Sequence, residues 1–99
     1  MKLQIQSIHF DADKKLLDFV QKKLDKLDTF YDRILDAEVF LKLDNDDKKG
    51  NKLMNIKLNV PGNLIVAKEQ AGTFEEATDK IVENLKAQIK KLKEKTAAH

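Results

Sequence analysis

Leu3 and Ile5 alternate with Gln4 and Gln6 at the start of the chain. This is the period of two expected of a half-buried strand, whose successive side chains point to opposite faces. It predicts a strand over about 2–9. The period then changes in DADKKLLDFVQKKLDKLD, where Leu16, Val20, Leu24 and Leu27 recur at helical spacing and Leu17 widens the stripe. Asp11 or Asp13 offers a capping oxygen, so the stretch predicts a helix over about 13–28. Alternation returns from Ile34, with Ala37, Val39, Leu41 and Leu43 on one face and Glu38, Phe40 and Lys42 on the other, giving a strand over about 34–43. The polar run LDNDDKKGNK interrupts it before Met54, Ile56, Leu58 and Val60 resume the alternation, which predicts a strand over about 52–60 and an antiparallel hairpin with a long tip. Pro61, Gly62 and Asn63 suit a tight turn, and LIVAKE predicts a fourth strand over about 64–69. Thr73 and Glu76 have the spacing of a capping box, and Phe74, Ala77, Ile81, Val82, Leu85, Ile89 and Leu92 form one continuous stripe. The second helix is therefore expected over about 73–95.

Strand, helix, three strands, helix defines an α+β chain, β-α-β-β-β-α. Each helix has one apolar stripe, so both are expected to cover one face of a four-stranded mixed sheet. The other face, carrying Glu38, Lys42, Asn55, Lys57 and Asn59, is polar enough to meet water. A length of 99 residues without linker, repeat or low-complexity segment fits a single domain, 1–99, with a core of modest size and little room for a large cleft.

Composition adds a surface thick with ions, since 36% of residues are charged against the ~25% of an average domain. No cysteine is present, which removes disulfide, thiol-nucleophile and thiolate-metal chemistry. No stretch approaches the ~18 apolar residues of a membrane span, and a soluble, cytoplasmic protein is expected. The charge is unevenly placed. KAQIKKLKEK, residues 86–95, sets five lysines against one glutamate in a chain whose formal charge is only +2. The first helix puts Lys15, Lys22 and Lys26 in one row, with Lys23 between that row and the apolar stripe. The second is acidic in its first half (Glu75, Glu76, Asp79, Glu83) and basic in its second, where Lys86, Lys90 and Lys93 share an edge. The helix dipole and i,i+4 pairing account for part of this sorting, at ~0.3–1 kcal/mol per charge. They do not account for a second basic row on the first helix. Two neighbouring basic edges fit a phosphate backbone.

Catalytic chemistry has little material. Ser7 is the only serine, and His9 and His99 are the only histidines, so no nucleophile–base–acid set is plausible. Asp44, Asp46 and Asp47 resemble the start of a calcium loop, but Lys48, Lys49 and Asn55 then fall where a ligand, a glycine and a bidentate glutamate are needed. Gly50, Gly62 and Gly72 are isolated, which excludes a phosphate-binding loop. No cofactor, metal or enzymatic activity is expected. The aromatic residues are scattered and several belong to core stripes, so single-strand stacking has little support overall. Phe40 is the exception, pointing to the polar side of its strand, where it could stack on a base or pack against a neighbour.

LLDFVQKKLDKLDTFYDRI, then VFLKL, VPGNLIVA and FEEATDKIVENLKAQIKKLKEK, together resemble the bacterial ribosome hibernation-promoting factor and ribosome-associated translation inhibitor family, also called sigma-54 modulation proteins, over nearly the whole chain. The resemblance implies a fold similar to a double-stranded RNA-binding domain. It implies a non-catalytic protein that binds the small ribosomal subunit in the mRNA/tRNA channel, contacts ribosomal RNA and inhibits translation under stress or in stationary phase. Lys23 and Lys26 match lysines of the family's first helix, Arg33 its D-R-I arginine, and Lys91 and Lys93 the basic spacing of its second helix; Lys22, Lys86 and Lys90 join them by geometry. Ala87 stands where many members carry arginine, and Phe74 replaces a common tyrosine. The chain stops where long members continue into a C-terminal dimerisation domain, so the resemblance implies the short form, a monomer off the ribosome, with a separate ribosome modulation factor needed for any pairing of ribosomes. The alternative reading is a protein-binding regulator of the sigma-factor modulator type, docking an acidic partner through its basic helices.

Overall fold

The alternating and helical stretches fold as β1 (Lys2–Ile8), α1 (Lys14–Phe30), β2 (Asp36–Leu43), β3 (Lys52–Val60), β4 (Asn63–Ala71) and α2 (Phe74–Ala97) in a computed structural model. It describes residues 1–44, 48 and 50–97. Asp46, Asp47 and Lys49 of the calcium-like run, and His99, lie outside the described residues. The sheet has the order β1-β2-β3-β4, with β1 parallel to β2 and the other two pairings antiparallel. That is the mixed sheet expected when a crossover through α1 joins β1 to β2 in parallel.

Alternation decides which side is covered. Ala37, Val39 and Leu41 of β2, Met54, Ile56, Leu58 and Val60 of β3, and Ile65, Ala67 and Ala71 of β4 are buried in one cluster. Val20, Leu24 and Leu27 of α1 and Phe74, Ala77, Ile81, Val82, Leu85 and Ile89 of α2 close that cluster from above. α2 lies across β3 and β4 and also packs against α1. Both helices therefore sit on one face, and the other is left open.

Local chemistry sets the ends. Asp13 caps α1, its side chain accepting from the Leu16 amide at 2.8 Å. Thr73 Oγ1 accepts from the Glu76 amide at 3.1 Å. Only this half of the capping box forms among the described residues. α1 runs two residues past its expected end, to Phe30, because the Tyr31 amide still reaches the Leu27 carbonyl at 2.7 Å. β4 is longer than its apolar run at both ends, since Asn63 pairs with Val60 and Ala71 with Lys52. Ladder bonds are backbone bonds, so polar Asn63 and Gln70 join the strand although they carry no hydrophobic signal. β2 begins later than expected, at Asp36; Ile34 is buried ahead of it, and the Leu35 amide donates to the Asn59 carbonyl. His9, exposed and at φ 63°, turns the chain out of β1. Phe10 then stacks on Phe74, with ring centroids 5.3 Å apart.

Candidate nucleic-acid interface

Three tie points fix how the helices lie. Near the start of both, Leu16 and Phe19 share a cleft with Glu75. Further along, Lys23 Nζ is 3.1 Å from Asp79, and at the far end Lys93 Nζ donates to the Phe30 carbonyl at 3.2 Å. The partner numbers rise together, so α1 and α2 run side by side in the same direction. Their carboxyl-terminal halves, where the lysines concentrate, fall at the same end of the molecule. A parallel pair also brings two negative dipole ends together, which favours cations there.

The eight candidate residues separate into groups. Lys22 and Lys26 are exposed on the side of α1 that borders α2. Lys86, Lys90 and Lys93 lie on the side of α2 that borders α1, and between the Lys23–Asp79 and Lys93–Phe30 contacts Lys26 and Lys86 come to matching heights. These five line one seam. Lys90 and Lys93 frame the ring of Phe30 in a small apolar pocket with Glu94. Arg33 is exposed in the turn between α1 and β2, at the same carboxyl-terminal end. Lys91 is on the opposite flank of α2, grouped with Asn84, Gln88 and Glu69. The Gln88 side chain there donates to the Val66 carbonyl at 3.0 Å, placing that flank over the edge of β4.

Engagement differs as much as position. Among the described residues, no carboxylate lies within 4.0 Å of the ammonium or guanidinium of Lys22, Lys26, Arg33, Lys90 or Lys91. Lys23 is half-buried, bridged to Asp79, and 5.5 Å from the Phe19 ring centroid. Lys86 reaches Glu83 at 3.8 Å, a loose i,i+3 pair. Lys93 lies 4.8 Å from the Phe30 centroid while bonding the last carbonyl of α1. Its ammonium thus holds the end of one helix against the other. Nothing in the sequence signals this, since the contact spans 63 positions.

Ala87 leaves a short side chain in a row where Lys80 and Lys91 stand two turns before and one turn after it, lining the same cleft. Lys80 is partly committed, donating to the Gln70 carbonyl at 2.8 Å. Among the described residues there is no cluster of three or more His, Cys, Asp or Glu side chains able to hold a metal, and no helix long and apolar enough to cross a membrane. The geometry offers polyvalent charge: it can hold a polyanion lengthwise along the helix seam.

Comparisons agree with this architecture. A ribosome hibernation promotion factor from Deinococcus radiodurans is 32% identical over 93 residues, covering 91% of this chain and 48% of that protein, so the chain spans about half of that relative's length. A ribosome hibernation promoting factor from Pseudomonas putida is 28% identical, covering 96% of this chain and 89% of its own. One from Klebsiella oxytoca is 29% identical over the full length of both chains, 100% of each. Among solved structures, a ribosomal subunit interface protein from Coxiella burnetii superposes with a TM-score of 0.82 at 22% identity, covering 94% of this chain and 98% of that one, and shows the shared fold. The N-terminal domain of Thermus thermophilus Protein Y gives 0.73 at 31% identity, with 92% and 94% covered. With residues 3–97 matched by the family described as Sigma 54 modulation protein / S30EA ribosomal protein, and its fold shared with those structures, the chain belongs to that family.

Proposed function

We propose that this protein is a ribosome hibernation factor that binds the small ribosomal subunit in the mRNA/tRNA channel through the basic seam of α1 and α2, and so inhibits translation. The observation that carries the reading is the family match over residues 3–97, whose relatives bear hibernation-factor names. The seam supplies the physical means. Lys22, Lys26, Lys86, Lys90 and Lys93, with Arg33 at their end, present cations along one border to ribosomal RNA phosphates, a contact that reads shape and charge rather than base edges. Activity by occlusion needs no catalytic group and no cofactor. The protein acts in the cytoplasm, under stress or in stationary phase.

Sedimentation with ribosomes tests this directly. The protein is expected to co-migrate with the small subunit at low salt, with log affinity falling against log salt at a slope of roughly −4 to −5 for about six phosphate contacts. Absence from the small-subunit fraction at low salt overturns the reading. The family's description also names sigma 54 modulation. A protein-docking role through the same helices would instead give a pull-down that survives ribonuclease and returns no ribosomal component.

A further inference from the structure

The face of the sheet opposite the helices has no role in the seam, yet its side chains are not those of a surface that merely faces water. Register brings four residues into one row across the strands: Gln6 of β1 beside Phe40 of β2, Phe40 beside Asn55 of β3, and Asn55 beside Lys68 of β4. Phe40 is half-buried but takes no part in the core cluster or in the side chains packed on it. The ring belongs to the open face. Lys57 Nζ lies 6.0 Å from its centroid, and Lys42 follows it on the same face of β2.

We propose that this face binds a short single-stranded RNA segment, with one base stacked on Phe40. Three features point to that occupant. An aromatic ring offers any base a π-face to stack on, a four-stranded sheet being a known platform for this. The amides of Gln6 and Asn55 stand on either side of the ring, about one strand spacing (~4.8 Å) away, where they can donate to and accept from a base edge. The charge also leans the right way among the described residues, because Lys2, Lys42, Lys57 and Lys68 share the face with Asp36, Glu38 and, at its far end, Asp44; Asp36 already accepts from the Asn59 amide at 2.6 Å and Asp44 from the Gln70 amide at 3.1 Å. Lys68 also lines, with Lys48, Glu69, Gln70 and Lys80, a cleft at the β4 edge in which lysines outnumber the one carboxylate. The Lys57 ammonium lies at the outer limit of a cation–π contact, so a base displaces it cheaply and leaves it to pair with the adjoining phosphate.

The site is separate from the helix seam and is tested without the ribosome. A short oligouridylate carrying one 2-aminopurine is titrated into the whole protein at low salt, following quenching of the fluorescent base and, in parallel, backbone amide shifts by NMR. Quenching is expected, with shifts centred on Gln6, Phe40, Asn55 and Lys57. Phe40→Ala should weaken binding by roughly 5- to 150-fold, the range for one lost base–aromatic stack, and Phe40→Tyr should restore it. A variant with Lys22, Lys26 and Lys90 changed to glutamine should keep the quenching, which distinguishes this site from the seam. Unquenched fluorescence, shifts confined to the helices, or equal affinity for wild type and a folded Phe40→Ala variant would overturn the proposal. So would self-association through exposed Leu64 and Val66 that is indifferent to RNA.

Discussion

Replacing Lys22, Lys26 and Lys90 together by glutamine separates cations that are available to a polyanion from those already committed within the fold. All three border the helix seam and, among the described residues, none has a carboxylate within 4.0 Å. Each phosphate neutralised contributes ~0.7–0.9 to the slope of log affinity on log salt, so the triple variant should lose about 2–3 from a slope of roughly −4 to −5. At about 0.1 M monovalent salt the same counterion argument gives a loss of roughly 100- to 500-fold in affinity. The control is the double variant Lys23→Gln, Asp79→Asn. That pair is 3.1 Å apart and internally neutral, so removing both leaves the local charge and the slope unchanged. As a surface pair it costs under about 1 kcal/mol of stability. Binding of fluorescently labelled protein to purified small subunits, followed by anisotropy at several salt concentrations, measures both slopes. The reasoning fails if the triple variant retains the wild-type slope, or if the neutral double variant loses as much as the triple.

Three further outcomes test the fold that holds the seam. Leu85 is fully buried where α2 meets the sheet, and Leu85→Ala should lower unfolding free energy by about 2–5 kcal/mol in a denaturant titration; a shift within error would mean that the core is not packed around it. Asp13→Ala removes the oxygen that accepts from the Leu16 amide and should cost about 0.5–2 kcal/mol, read from the melting temperature, whereas Asp13→Ser should recover most of it. Gly50 sits at φ 93°, where a Cβ would run into the Ala71 carbonyl, so Gly50→Ala should destabilise by about 1–3 kcal/mol, and an unchanged denaturation midpoint would refute that geometry.

Apolar periodicity determined most of what local rules can determine. The alternation in Ala37–Leu43 and Met54–Val60 specified strands and their buried sides, because a side chain's face follows from its parity. The stripe from Phe74 to Leu92 specified a helix and its buried side for the same kind of reason. Charge sorting along each helix was equally legible, as was the polar side of β2 on which Phe40 stands. Tertiary structure decided what those rules leave open. The parallel course of α1 and α2 makes two basic edges one seam, and it depends on how both stripes share the sheet rather than on either stripe alone. It also decides that Lys23 meets Asp79, that Lys93 closes the end of α1, and that Lys91 turns to the β4 flank instead of joining Lys90. The row Gln6–Phe40–Asn55–Lys68 arises only from strand register. Local sequence sets which face of an element a residue occupies, but which residue stands opposite it is set by the packing of segments far apart in the chain.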